Sequence, residues 1–138
     1  MTIFRSRTLA YDTQNKRFSD PVCILDTGES SVTLTDNKMQ QQKIYFHTDF
    51  VEKHLRHVAA TNPEKLQMLV DEGRIVKYLS DFEVKCMDTA SAQTELWLQT
   101  DTEYQAAVLE GDIRKAAGLR NGFYQIAKSE VMRTIVLV

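Results

Sequence analysis

A chain of 138 residues, 43% apolar and 26% charged, can bury a core without metal or disulfide staples and has the balance of an ordinary globular protein. Its net charge of −2 excludes the strong basic excess that marks a general nucleic-acid binder. No apolar run approaches the about 20 residues that cross a bilayer, no signal-peptide core opens the chain, and Cys23 and Cys86 stand in no ligand-like spacing. The expectation is a reduced, cytoplasmic protein with no membrane segment, cofactor or metal.

Residues 2–11 are rich in β-formers, and Asp12 to Lys16 are polar. Val22-Cys23-Ile24-Leu25 is a short apolar run, closed by Asp26-Thr27-Gly28-Glu29, after which Val32-Thr33-Leu34-Thr35 resumes alternation. This predicts an antiparallel meander of two or three strands. In its turn, Asp26 and Thr27 bond the local backbone and Gly28 supplies a positive φ. Asp36 to Gln42 reads as a polar loop, and Lys43 to Phe46 as a further strand or the lead-in to a helix.

The period then changes from two to about 3.6. Thr48 caps a helix reaching about Ala60, with Asp49 and Glu52 near its positive end and Phe50, Val51, Leu55 and Val58 as its buried arc. Asn62 is the expected N-cap of the next helix, Pro63 suits its first position, and Gly73 closes it. From Ile75 one long amphipathic helix carries Leu79, Phe82, Cys86, Thr89 and Leu96 on a single predicted stripe. Thr100-x-x-Glu103 matches a capping box for a short helix toward Glu110. Gly111-Asp112 breaks it and starts a last helix toward Lys128, with Ile113, Ala116, Ala117, Phe123 and Ala127 on one side. Val131 to Val138 reads as a strand or an extended tail added to the N-terminal sheet.

The fold class expected is α+β: a small N-terminal antiparallel sheet, then a four- to five-helix bundle built on the αα-hairpin of residues 62–98. One domain spans 1–138, strand-rich over 1–47 and helical over 48–138.

The helical part carries Lys53-His54-Leu55, Leu66-Gln-Met-Leu69, Gly73-Arg74-Ile75, Tyr78-Leu79-Ser80-Asp81-Phe82 and Leu119-Arg120-Asn121-Gly122 before Ile126-Ala127. Over residues about 48–135 this order resembles the transposon-encoded TnpV-type family, small accessory proteins of integrated elements with no established biochemical activity. Asn121-Gly122 stands where that family usually has Asn-Asn, and residues 1–47 lack its short Gly-Asp-Tyr/Pro lead. The resemblance implies a mobile-element or phage setting and carries over no catalytic residue.

The chemistry-bearing residues have plainer readings beside them. His47, His54 and His57, with Asp49 or Glu52, offer the ligand types of a zinc site. His54, however, lies close to the apolar arc, His57 lies at its margin, and the spacing is not His-Glu-x-x-His, so they read as packing or rim histidines. Cys86 on the inner stripe and Cys23 in a strand read as small hydrophobes, not activated thiolates. Asp26-Thr27-Gly28 reads as a turn, not half of an aspartic-protease dyad. Gly118-x-x-x-Gly122 has neither Walker nor Rossmann spacing. No catalytic residue is assigned.

Charge is more informative. Residues 81–110 hold Asp81, Glu83, Asp88, Glu95, Asp101, Glu103 and Glu110 against Lys85 alone. Residues 112–138 hold Arg114, Lys115, Arg120, Lys128 and Arg133 against Asp112 and Glu130. Asp81, Asp88 and Glu95 are seven apart and form an outward ridge, with Asp101 and Glu103 beyond it. This surface is expected to contact a protein partner, a basic nucleic-acid-processing one. The function expected is a non-enzymatic accessory or inhibitor of a mobile genetic element or phage, with an anti-CRISPR or other host-defence inhibitor as its concrete form. The alternative is a small DNA-associated regulator using Arg114, Lys115, Arg120 and Lys128.

Overall fold

The structure, a computed structural model, describes residues 2–6, 11–12, 17–18, 23–35 and 40–137. Four strands form an antiparallel sheet: β1 (Ile3–Arg5), β4 (Cys23–Asp26), β5 (Ser31–Thr35) and β6 (Gln41–Tyr45), in the order β1-β4-β5-β6. β2 (Tyr11–Asp12) and β3 (Arg17–Phe18) pair as a separate antiparallel ribbon. Five helices follow: α1 (Asp49–Thr61), α2 (Pro63–Asp71), α3 (Ile75–Thr100), α4 (Thr102–Leu109) and α5 (Ile113–Val131). The α+β expectation is met. The expected polar loop gives way early, since Gln41 and Gln42 already belong to β6. Residues 7–10, 13–16, Val22, 36–39 and Val138, on which parts of the expected strands, loop and tail fall, lie outside the described residues.

The chain divides into two compact units, residues 1–83 and 84–138, with α3 contributing Ile75–Glu83 to the first and Val84–Thr100 to the second. In the first, register sets the sheet's inner face: Phe4 is opposite Leu25, Leu25 opposite Val32, and Val32 opposite Ile44. That face joins Val51, Leu55 and Val58 of α1, Leu66, Leu69 and Val70 of α2, and Ile75 and Leu79 of α3 in one buried cluster. Alternation of period two in the strands and about 3.6 in the helices supplies these residues. Gln67 of α2 donates to the Arg5 carbonyl at 2.6 Å and to Asp71 at 3.0 Å, satisfying a carbonyl of edge strand β1.

Thr48 caps α1 as expected, accepting from Val51 N–H at 3.5 Å, while its hydroxyl donates to Glu83 of α3 at 3.1 Å. Asn62 stands at the N-cap position of α2 as expected but, at φ −150° and ψ 67°, makes no side-chain bond there; its own N–H donates to the Val58 carbonyl at 2.7 Å and ends α1. Gly73 closes α2 at φ +70°, with Gly73 N–H on Val70 and Arg74 N–H on Leu69, the paired bonds of a Schellman motif. The turn Thr27–Ser30 departs from expectation in two details. The Thr27 hydroxyl donates not to the local backbone but to the Thr2 carbonyl of the neighbouring chain segment, at 3.1 Å. Ser30, at φ 53°, takes the left-handed position, and Gly28 instead allows close approach of the Asp26 carboxylate to its N–H at 2.9 Å.

In the second unit the buried residues of α3 are Cys86, Ala90, Thr94 and Leu98. Steps of four residues turn about 400°, so three of them carry the buried line about 120° around the helix. Leu96, expected on a stripe of alternating fours and threes, is therefore left 58% exposed, and Thr89 is exposed as well. Phe82, expected to be buried, is partly so. The cap of α4 is Asp101, which accepts from Tyr104 N–H at 2.8 Å, and not Thr100, which ends α3 and donates to Trp97. Asp112 caps α5, accepting from Lys115 N–H at 3.1 Å. On α5, Ala127 and Val131 are buried while Ile113 and Ala117, expected on the same inner side, are exposed. The C-terminal strand is not formed: Met132–Val136 is a π-helical turn that continues α5 and buries Val136.

Candidate interaction surface

Each chemistry-bearing candidate has a definite place. His54 is buried in the first unit, its Nε2 2.8 Å from the Tyr78 hydroxyl and its ring stacked on Phe82 at 3.9 Å between centroids. His47 is exposed and stacks on Tyr45. Lys65 sits over the Tyr78 ring at 5.0 Å, so the pair belongs to a packed aromatic cluster. Cys23 and Cys86 are buried free thiols. Burial pushes the Cys23 thiol up to about 11 and raises Cys86 too, with Lys85 opposing, so both are disfavoured as thiolates. Asp26 accepts from Gly28 and Glu29 N–H groups in its turn. Among the described residues no group of three or more His, Cys, Asp or Glu converges on a metal-sized site. Nor is any helix there long and apolar enough to cross a membrane.

The acidic candidates separate into two kinds. Asp81, in the first unit, and Asp88, in the second, are exposed and make no ion pair among the described residues. Glu95, Asp101 and Glu103 are engaged within the second unit: Glu95 bonds Arg120, Asp101 caps α4, and Glu103 faces Lys115 at 3.6 Å. Two of the four basic candidates are the other halves of those pairs. Arg120 also donates to the Tyr104 hydroxyl at 2.9 Å, and the bonds to Glu95 and then Tyr104 raise its pKa above the usual guanidinium value. Arg114 is exposed, and Lys128 is partly exposed and has a partner.

Two grooves flank the packing of α5 on the second half of α3, where Trp97 meets Phe123 at 6.1 Å. One, of about 360 Å³, is lined by Ser91, Glu95, Ala117, Arg120, Asn121 and Tyr124 among others. The other, of about 350 Å³, is lined by Gln93, Trp97, Ile126, Glu130, Val131 and Thr134 among others. The sequence reading missed a third feature, the corner between α4 and α5, where Leu109 is 89% and Ile113 81% exposed. The available signal was a pair of large apolar residues on either side of Glu-Gly-Asp, too close to the turn to be covered.

Compared with models of protein families, with curated proteins and with solved structures, the chain matches none.

Proposed function

We propose that this chain is a non-enzymatic accessory or inhibitor protein of a mobile genetic element or phage, acting by protein–protein contact in the cytoplasm. An anti-CRISPR or other host-defence inhibitor is the concrete form of the proposal, and the TnpV-type resemblance over residues about 48–135 supplies its setting. The observation that carries it is the state of the charges. Asp81 and Asp88 stand outward and unpaired among the described residues, while Lys115 and Arg120 are held by Glu103 and Glu95. Carboxylates in water attract a basic partner and orient it, at modest cost to stability. Cations already neutralised by neighbours bind phosphates poorly, which weighs against the DNA-associated alternative. The positive accounts of His54, Cys23 and Cys86 as packed groups favour contact over catalysis.

The test is affinity capture from a bacterial lysate at low salt with the tagged full chain, followed by identification of what is held. A basic nucleic-acid-processing protein is expected on the wild type and absent from the Asp81→Lys/Asp88→Lys variant. DNA retained in place of protein, with a salt-dependent mobility shift by DNA alone, would support the regulator reading and sink this one.

A further inference from the structure

The four-stranded sheet of the first unit ends differently on its two sides. β1 packs beside α2, whose Gln67 side chain takes the outward Arg5 carbonyl at 2.6 Å. β6 is the other edge, and among the described residues no strand pairs with its free side. Gln41, Gln42, Lys43 and Tyr45 are exposed there. Register shows which backbone groups are open. Phe46 N–H donates to the Ser30 carbonyl at 2.9 Å, so Phe46 turns its groups toward β5, as do Ile44 and Gln42, opposite Val32 and Leu34. The alternation of an antiparallel ladder then aims the N–H and C=O of Gln41, Lys43 and Tyr45 out of the sheet. An added extended strand matches that row of donors and acceptors.

A lysine in an edge strand ordinarily guards it against such pairing. Here Lys43 is turned back within the unit, its Nζ 2.6 Å from Glu29 and 5.2 Å from the centre of the Tyr45 ring. The rest of β6 is uncharged. The edge therefore has no net charge to select a charged foreign strand or to repel its own copy. Antiparallel pairing of β6 with a second copy can centre on Gln42, Lys43 or Ile44. Centred on Lys43 it opposes like charges, and centred on Gln42 it sets Ile44 against Gln40. Centred on Ile44 it brings two Ile44 side chains together on the inner side of the sheet, where each is already partly buried against its core. The same register puts Lys43 directly across from the Tyr45 ring of the other copy.

We infer that β6 pairs antiparallel with β6 of a second copy about a two-fold axis at Ile44, joining the two sheets into one continuous sheet.

The test combines sedimentation with cross-linking of the full chain. The wild type is expected to show a concentration-dependent dimer. Lys43→Pro removes an outward N–H and no bond of the β5–β6 ladder, and should raise the dimer dissociation constant roughly tenfold or more. Lys43→Ala keeps that N–H and should still dimerise. Under copper-phenanthroline oxidation Ile44→Cys should form a disulfide-linked dimer, because facing residues of a non-hydrogen-bonded pair lie within disulfide reach. Lys43→Cys, whose two copies are offset along the strands, should not, and neither should the wild type, whose cysteines are buried. If Lys43→Pro fails to fold, the cysteine pair decides alone. A wild type that stays monomeric at every concentration overturns the inference. So does a dimer untouched in folded Lys43→Pro, one lost equally in Lys43→Ala, or cross-linking of Lys43→Cys in place of Ile44→Cys. A monomeric wild type that holds a captured protein through β6, released by Lys43→Pro, would make a foreign strand the occupant and overturn it too.

Discussion

Cys23 shows how one buried side chain writes itself into the pH dependence of the fold. Its thiol is pushed from an ordinary value of 9.0 up to about 11 by desolvation on the inner face of the sheet. Above pH 9 the unfolded chain loses that proton while the folded one keeps it, so stability is fully present below pH 9 and falls as pH rises toward 11. Cys23→Val is expected to flatten that part of the denaturation profile, and an unchanged slope would mean that other groups set it. Leu79 tests packing at the same scale. It is fully buried at the centre of the first unit, so Leu79→Ala should cost about 2–5 kcal/mol by chemical denaturation. Phe82 should cost less, since it is only partly buried. Leu79 was legible as a core residue because helical spacing from Ile75 alone places it inward. The partner of Phe82 was not legible, because the His54 ring that stacks on it is 28 positions away and period says nothing about which side chains meet across helices.

Glycines separate the helix ends from the helix interiors. Gly73 and Gly111 sit at φ +70° and +72°, where a Cβ meets nothing within 4 Å but the backbone itself is strained for any L side chain. Gly118 and Gly122 lie inside α5 with equally open surroundings and ordinary backbone. The same substitution should therefore have opposite signs. Gly111→Ala is expected to destabilise by about 1 kcal/mol or more, and Gly118→Ala to stabilise by up to about 1 kcal/mol, read from urea midpoints. Asp101→Ala should cost about 1 kcal/mol through loss of the α4 cap. Element types were legible from period and punctuation, down to the Gly111-Asp112 break. The cap at Thr100 was misread because Asp101 beside it offers an equivalent oxygen and the backbone path decides which is used, whereas Asn62 does stand at the N-cap of α2 and lacks only the side-chain bond. The winding line from Cys86 to Leu98 was missed because small Ala90 and polar Thr94 carry little hydropathy, though Thr94 satisfies its hydroxyl on the Ala90 carbonyl at 2.8 Å.

For the whole molecule, the two units differ in how they are filled. The first encloses large aliphatic and aromatic side chains beneath a sheet, whereas the second buries mainly small residues and leaves Leu96, Leu109, Ile113 and Ile126 largely in water. Native-state hydrogen exchange should accordingly be slower for β4, β5 and α1 than for α4, and the reverse order would contradict this account of where stability resides. The imbalance of acids and bases was legible in the sequence. Which charges are engaged internally was not, since Glu95 and Arg120 are brought together only by helix packing. Of the five acids proposed for contact, Asp81 and Asp88 are the two that neither a described ion pair nor a helix cap engages. The most direct test is the association rate of the captured basic protein with wild type and with Asp81→Lys/Asp88→Lys, measured at low and at high salt. Contact through outward carboxylates predicts a slowing of roughly tenfold or more for the variant at low salt, with the two rates converging at high salt. Equal rates at low salt would contradict it.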